Sequence, residues 1–143
     1  MGASLKLCVV DAACAACWLL PDESSKQGEA ILAAYEAGDL QFHMPRLWNY
    51  EIMNVLLFAH RRKRLDDEGF AEARDIFGQI QCEFHEQADM VCRRRIFQFA
   101  ERHQLTAYDA AYLELADRLQ VPLYTFDGKL LKAAKAEGID TDF

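Results

Sequence analysis

The sequence predicts an α/β fold, a parallel sheet covered by helices on both sides. Three observations predict it. Short apolar runs alternate with longer stretches whose apolar residues recur every three or four positions, as when strands feed crossover helices rather than hairpins. The strand-like runs are apolar almost throughout, the pattern of strands covered on both faces. Two of these runs, ending at Val10 and Phe126, pass directly into an aspartate and then a helical pattern, so Asp11 and Asp127 are expected at the same edge of the sheet.

The elements follow in order. Leu5–Val10 is a short inner strand, and Ala12–Leu20 turns helical until Pro21 stops it. Asp22–Gly38 contains a helix with Ser24 or Ser25 as cap, Ile31, Leu32 and Tyr35 as buried side, and Gly38 as terminator. Leu40–Met44 is a second strand, closed by Pro45. Arg46–Arg64 is a helix with Leu47, Trp48, Val55 and Phe58 on its apolar face, and it ends in a basic cluster, His60 to Arg64. Cations suit a helix C-terminus, and such a cluster is also a candidate phosphate contact. Asp66–Phe84 reads as a helix with Phe70, Ala73, Phe77 and Ile80 inward, and His85–Asp89 as a loop or short edge strand. Met90–His103 is helical, with Val91, Ile96, Phe99 and Ala100 available for burial. Leu105–Gln120 buries Tyr112, Leu113, Ala116 and Leu119. Val121–Phe126 is the third clear strand, Lys129–Glu137 the last helix, and Ile139–Phe143 a candidate final strand.

Composition bounds what such a fold can do. The 143 residues are expected to form one domain, 1–143, and 52% hydrophobic with 27% charged residues suits a globular chain. A net charge of −7 argues against a nucleic-acid binder acting through bulk charge, but not against an enzyme that holds a polyanion with local basic patches and metal ions. No apolar run approaches a membrane span. Lys6 followed by LCVVDAACAACWLL imitates a signal peptide, but Asp11 interrupts the apolar centre. Five cysteines without a secretion signal suggest reduced thiols and a cytoplasmic protein. Cys14 and Cys17 form a C-x-x-C, read as two small residues packing one helical turn apart.

Four acids stand out. Asp11 and Asp127 follow strands; an N-cap is the ordinary explanation for each. Glu51 lies four residues after Leu47 and four before Val55, inside an apolar stripe, with Asn54 on the same face. Asp109 extends the inward stripe of Leu105–Gln120 at its first turn. Inward acids must be paired, hydrogen-bonded or bound to a cation. Four carboxylates brought together repel and raise one another's pKa, which a divalent cation relieves. All-oxygen donors select Mg²⁺ or Mn²⁺, suited to hydrolysing a phosphodiester. No Ser-His-Asp order, Walker sequence or G-x-G-x-x-G loop offers a rival chemistry.

VVDA at Val9–Ala12, WNYEIMN at Trp48–Asn54, TAYDAAYLELA at Thr106–Ala116 and YTFDGKL at Tyr124–Leu130 together resemble the PIN-domain ribonucleases, and most closely the VapC-type toxins of toxin–antitoxin pairs. The resemblance spans almost the whole chain and keeps the motif order. It implies a three-layer α/β/α sandwich around a parallel sheet of about five strands, and Mg²⁺- or Mn²⁺-dependent endoribonuclease activity on RNA. Asp11, Glu51, Asp109 and Asp127 match the family's catalytic and metal-binding acids; Asn54 and Thr106 match their frequent neighbours. A homodimer and a small antitoxin partner are implied too. The family commonly has Ser or Thr two residues after its first acid, where this chain has Ala13, so a weaker metal site is expected. Two other classes compete: a non-catalytic PIN-like domain that binds RNA or protein, and a phosphoacceptor domain of receiver type. The second would need a Lys at the end of a late strand.

Overall fold

The computed structural model describes residues 5–143. Four strands form one sheet in the order β3-β2-β1-β4, every neighbouring pair parallel: β1 (Lys6–Val10), β2 (Leu40–Pro45), β3 (Cys82–His85) and β4 (Leu123–Tyr124). The chain steps outward from β1 to β2 to β3, then returns to the far side of β1. Right-handed crossovers therefore put α1 (Ala12–Ala16), α2 (Lys26–Glu36), α3 (Leu47–Arg61) and α4 (Asp67–Gln79) on one face. The return path puts α5 (Met90–His103) and α6 (Ala107–Leu119) on the other. There α7 (Gly128–Ala136) packs beside α6, while α1 packs on α3 and α3 on α4. The expected three-layer, PIN-like α/β/α sandwich stands, with four strands rather than about five.

The missing fifth strand has a local cause. In Ile139–Phe143 the Asp140 carbonyl accepts one bond from the Leu123 N–H at 2.9 Å, but the Asp140 side chain then takes the Asp142 N–H at 3.0 Å. That turn diverts the backbone before a ladder can form. A second difference lies at residues 80–85. The helix expected to run to Phe84 ends at Gln79, because the next stretch turns extended and docks on β2, Phe42 opposite Cys82 and Pro45 opposite His85. Phe77, Ile80 and Phe84 happen to keep helical spacing across that boundary.

The core is built from β1 and β2, the stacked rings of Trp18, Phe42 and Tyr35, and the inward sides of the helices. On α3 the buried residues are Trp48, Ile52, Leu56 and Ala59. The apolar face read from the sequence is therefore rotated: Trp48 is buried, but Leu47 and Val55 are only partly so, and Phe58 is 47% exposed. On α5, Val91 is likewise exposed, and Cys92 and Phe99 take the buried positions. Helix α6 is covered all round from Ala110 to Ala116, between the sheet and its neighbours α5 and α7. All five cysteines carry free thiols. Among the described residues no helix is long and apolar enough to cross a membrane.

One close approach sets how α1 and α2 meet. Gly28 lies inside α2, and a Cβ built there would stand 2.0 Å from the Cys17 sulfur. The Gly28 carbonyl accepts the Trp18 indole N–H at 2.8 Å. Gly28→Ala should destabilise the fold by about 1–3 kcal/mol through overpacking, although alanine is the better helix former by about 1 kcal/mol. In a Cys17→Ala background the same change should cost clearly less, the remaining close contact being the Ser25 hydroxyl at 2.9 Å, a short side chain able to give way. Urea denaturation of the four-protein cycle reads both; additive effects would discount the sulfur contact.

Candidate active site

Strand order reverses at β1, a topological switch point beyond the carboxyl ends of β1 and β4, where open α/β sheets usually form their ligand crevice. Asp11 sits there. Its N–H makes the last rung of the pair, donating to the Tyr124 carbonyl at 3.2 Å. Asp11 caps α1, its Oδ1 accepting from the Cys14 N–H at 2.9 Å, and its Oδ2 accepts from the Thr125 hydroxyl. The residue is 3% exposed. Burial pushes its carboxyl up to about 6; the Thr125 and Cys14 bonds oppose this, and the nearby charges of Asp109 and Asp127 add to it.

Asp127 mirrors Asp11 after β4. It caps α7, accepting from the Leu130 N–H at 2.9 Å, and its own N–H donates to the Thr125 oxygen at 3.0 Å. Both strand-end acids are thus N-caps, as the ordinary reading has it, and both also face the crevice acids through space. Thr125 ties them together, a role its sequence context conceals: it is a hydroxyl at the end of an otherwise apolar run. It gives Asp11 a hydroxyl partner although Ala13 has none.

Asp109 lies in the first turn of α6, half-buried. Burial raises its pKa, the Asp127 charge raises it further, and Lys129 and Thr106 act in the opposite sense. Thr106 caps α6 by accepting the Asp109 N–H at 3.1 Å, so it fixes the turn that carries the acid. Glu51, also half-buried, projects from α3 in the opposite layer. Its Oε1 accepts from the Tyr112 hydroxyl of α6 at 2.6 Å, a bond joining the two helical layers. Burial raises the Glu51 pKa and the Asp109 charge adds to it. Tyr112 read from the sequence as core alone; its hydroxyl adds a polar task. Asn54 stands exposed one turn beyond Glu51.

None of these four acids forms an ion pair with Arg, Lys or His among the described residues. Glu114 shows the contrast. It is fully buried on α6 but held by Arg118 at 2.8 and 3.2 Å and by Gln87 at 2.9 Å. Its charge is neutralised where it lies. The crevice acids keep theirs, and their donor set is all hard oxygen, which fits Mg²⁺ or Mn²⁺ chemistry. Among the described residues no three His, Cys, Asp or Glu side chains form a ready-made ligand cage. Magnesium does not require one, since it binds through one or two carboxylates and keeps several waters.

No family model matches the chain. Over 125 residues it is 30% identical to Ribonuclease VapC3 of Pyrobaculum aerophilum, in an alignment covering 85% of this chain and 90% of the relative. The chain belongs to the VapC ribonuclease family. The solved structure of PAE2754, also from Pyrobaculum aerophilum, superposes with a TM-score of 0.65 over 91% of this chain and 87% of that one. At 23% identity it supports the fold alone. In this VapC family member the strand order, the crevice and the acids around it follow from the chain's own packing.

The raised Asp11 pKa has a signed consequence for stability. A carboxyl at about 6 when folded, against about 3.9 unfolded, stabilises the fold below the lower value and loses that contribution as pH rises through 6; ionised at pH 7 it costs about 3 kcal/mol. With chelator present, Asp11→Asn should therefore gain on the wild type as pH rises, the gap growing by roughly 1 kcal/mol between pH 5 and 7.5. Chemical denaturation across that range measures it. A pH-independent gap would contradict the shift.

Proposed function

We propose that this chain is a metal-dependent endoribonuclease that hydrolyses RNA phosphodiester bonds, the toxin of a toxin–antitoxin pair. Its main support is the group of Asp11, Glu51, Asp109 and Asp127: Asp109 acts by its charge on Asp11 and Glu51, Asp127 on Asp11 and Asp109, and among the described residues none forms an ion pair, in a chain 30% identical to a named ribonuclease. Buried carboxylates without an ion pair, with pKa values raised at Asp11, Glu51 and Asp109, are costly to keep for packing alone.

Mg²⁺ or Mn²⁺ would be held by one or two of these four carboxylates, and when bound it neutralises charge and assists attack of water on phosphorus. The chain's own groups do the rest. Thr125 and the Cys14 N–H orient the Asp11 carboxylate, and the Tyr112 hydroxyl orients Glu51. Glu51 and Asp109 are half-exposed acids with raised pKa, suited to accept the proton released as water adds to phosphorus. The leaving ribose oxygen then takes a proton, completing addition of water across the P–O bond. For the homodimer and the small antitoxin partner, the support is α5, where Met90, Val91 and Phe97 stand exposed.

Hydrolysis of a labelled RNA with Mg²⁺ or Mn²⁺ tests this reading. Asp109→Asn and Asp11→Asn should each lower the rate at least a hundredfold, and chelator should abolish it. Tyr112→Phe should lower it less, about tenfold, by freeing Glu51. Equal rates for wild type and Asp109→Asn would reject the nuclease reading, and tight RNA binding without turnover would favour the non-catalytic PIN-like domain.

A further inference from the structure

The face of α3 that carries Glu51 does not end at the crevice. With 3.6 residues per turn, Glu51, Val55, Phe58 and Arg62 fall on one line along the helix, about a quarter turn from the buried Trp48, Ile52, Leu56 and Ala59. Along that line the surface changes from acidic at Glu51 to aromatic at Phe58 to basic at Arg62, about 16 Å from Glu51. The Phe58 ring is 47% exposed. The Arg61 and Arg62 guanidinium carbons lie 5.9 and 5.8 Å from its centroid.

These two arginines differ from their neighbours. Arg64 is held by Asp22 and Glu23, and His60 pairs with Asp67 and stacks on Phe70. Among the described residues neither Arg61 nor Arg62 pairs with a carboxylate. Arg61 and Arg62 thus leave two unpaired guanidiniums beside an exposed ring, on the helix line that begins at Glu51. An acidic centre repels a phosphate backbone, so the strand needs cationic contacts outside that centre. An exposed ring receives any base by stacking, and a guanidinium receives a phosphate through two hydrogen bonds. The Met90–Phe97 surface of α5 also mixes apolar and basic side chains, but it does not continue from the acids.

We propose that Phe58, Arg61 and Arg62 form a track for the single-stranded RNA flanking the bond to be cut: a base stacks on Phe58 and neighbouring phosphates are held by the two arginines. This rests on the ribonuclease reading above and names how that substrate is held. A guanidinium displaced from the ring by a base loses only a weak surface contact and is freed for the backbone.

The test is binding of a labelled, unstructured single-stranded RNA of mixed sequence to the full chain, followed by fluorescence anisotropy in an Asp109→Asn background that prevents cutting. Adding Phe58→Ala should weaken binding about tenfold, and Phe58→Trp should restore it. Arg61→Ala and Arg62→Ala should each reduce the slope of log affinity against log salt by about 0.7. All four substitutions lie on exposed positions, and circular dichroism checks that each variant folds. Unchanged affinity in Phe58→Ala together with unchanged salt slopes would overturn the track. So would a drop in solution mass for Phe58→Ala at unchanged RNA affinity, which would mark a protein contact instead. Failure of the nuclease reading would show separately, as cleavage by the native chain no faster than by Asp109→Asn.

Discussion

A carboxylate buried without a cation is the constraint around which this molecule is arranged. Asp11 sits at the point where strand order reverses, and nothing positive lies against it. Two hydrogen bonds hold it, one from the helix it caps and one from Thr125 across the crevice. Such a group is tolerated only where its oxygens are hydrogen-bonded. The fold meets that demand by bringing β4 back beside β1 and ending it after two residues, so that Thr125 leaves the sheet at the height of Asp11.

The two helical layers meet over the same crevice. Glu51 belongs to the layer built by the first two crossovers, Asp109 and Tyr112 to the layer built by the return. Their contact is the hydroxyl of the otherwise core-buried Tyr112 on Glu51. The acids therefore depend on the relative seating of α3 and α6, and residues far from the crevice, such as Gly28 beneath α1, act on it through that packing.

Much of this was legible in the residues, for physical reasons. A strand covered on both faces must be apolar, so Cys8–Val10 and Leu123–Tyr124 announce themselves, and an aspartate follows each, Asp11 at once and Asp127 three residues on. Asp109 showed because it continues an inward stripe. Other features were hidden. Phe58 shares a helical line with Val55 and Leu47, so periodicity assigned it to the core; only the packing of α3 on α1 shows that the core lies a quarter turn away. Glu114 escaped because α6 is enclosed on all sides, and a single-stripe reading has no place for an acid opposite the stripe. The strand at Cys82–His85 escaped because its aromatic spacing continued the preceding helix. Thr125 carries no periodic signal at all, since its importance comes from a partner more than a hundred residues away.

The two margins of the sheet have a bearing on self-association. An open strand edge invites another copy to add itself by backbone pairing. Here β4 is two residues long, and its Leu123 N–H is already taken by the Asp140 carbonyl. At the opposite margin β3 is four residues long and carries an exposed Glu83. Neither margin offers a long, flat, uncharged template, so this sheet resists fibril-like stacking even with the crevice at its β4 end left open for a ligand.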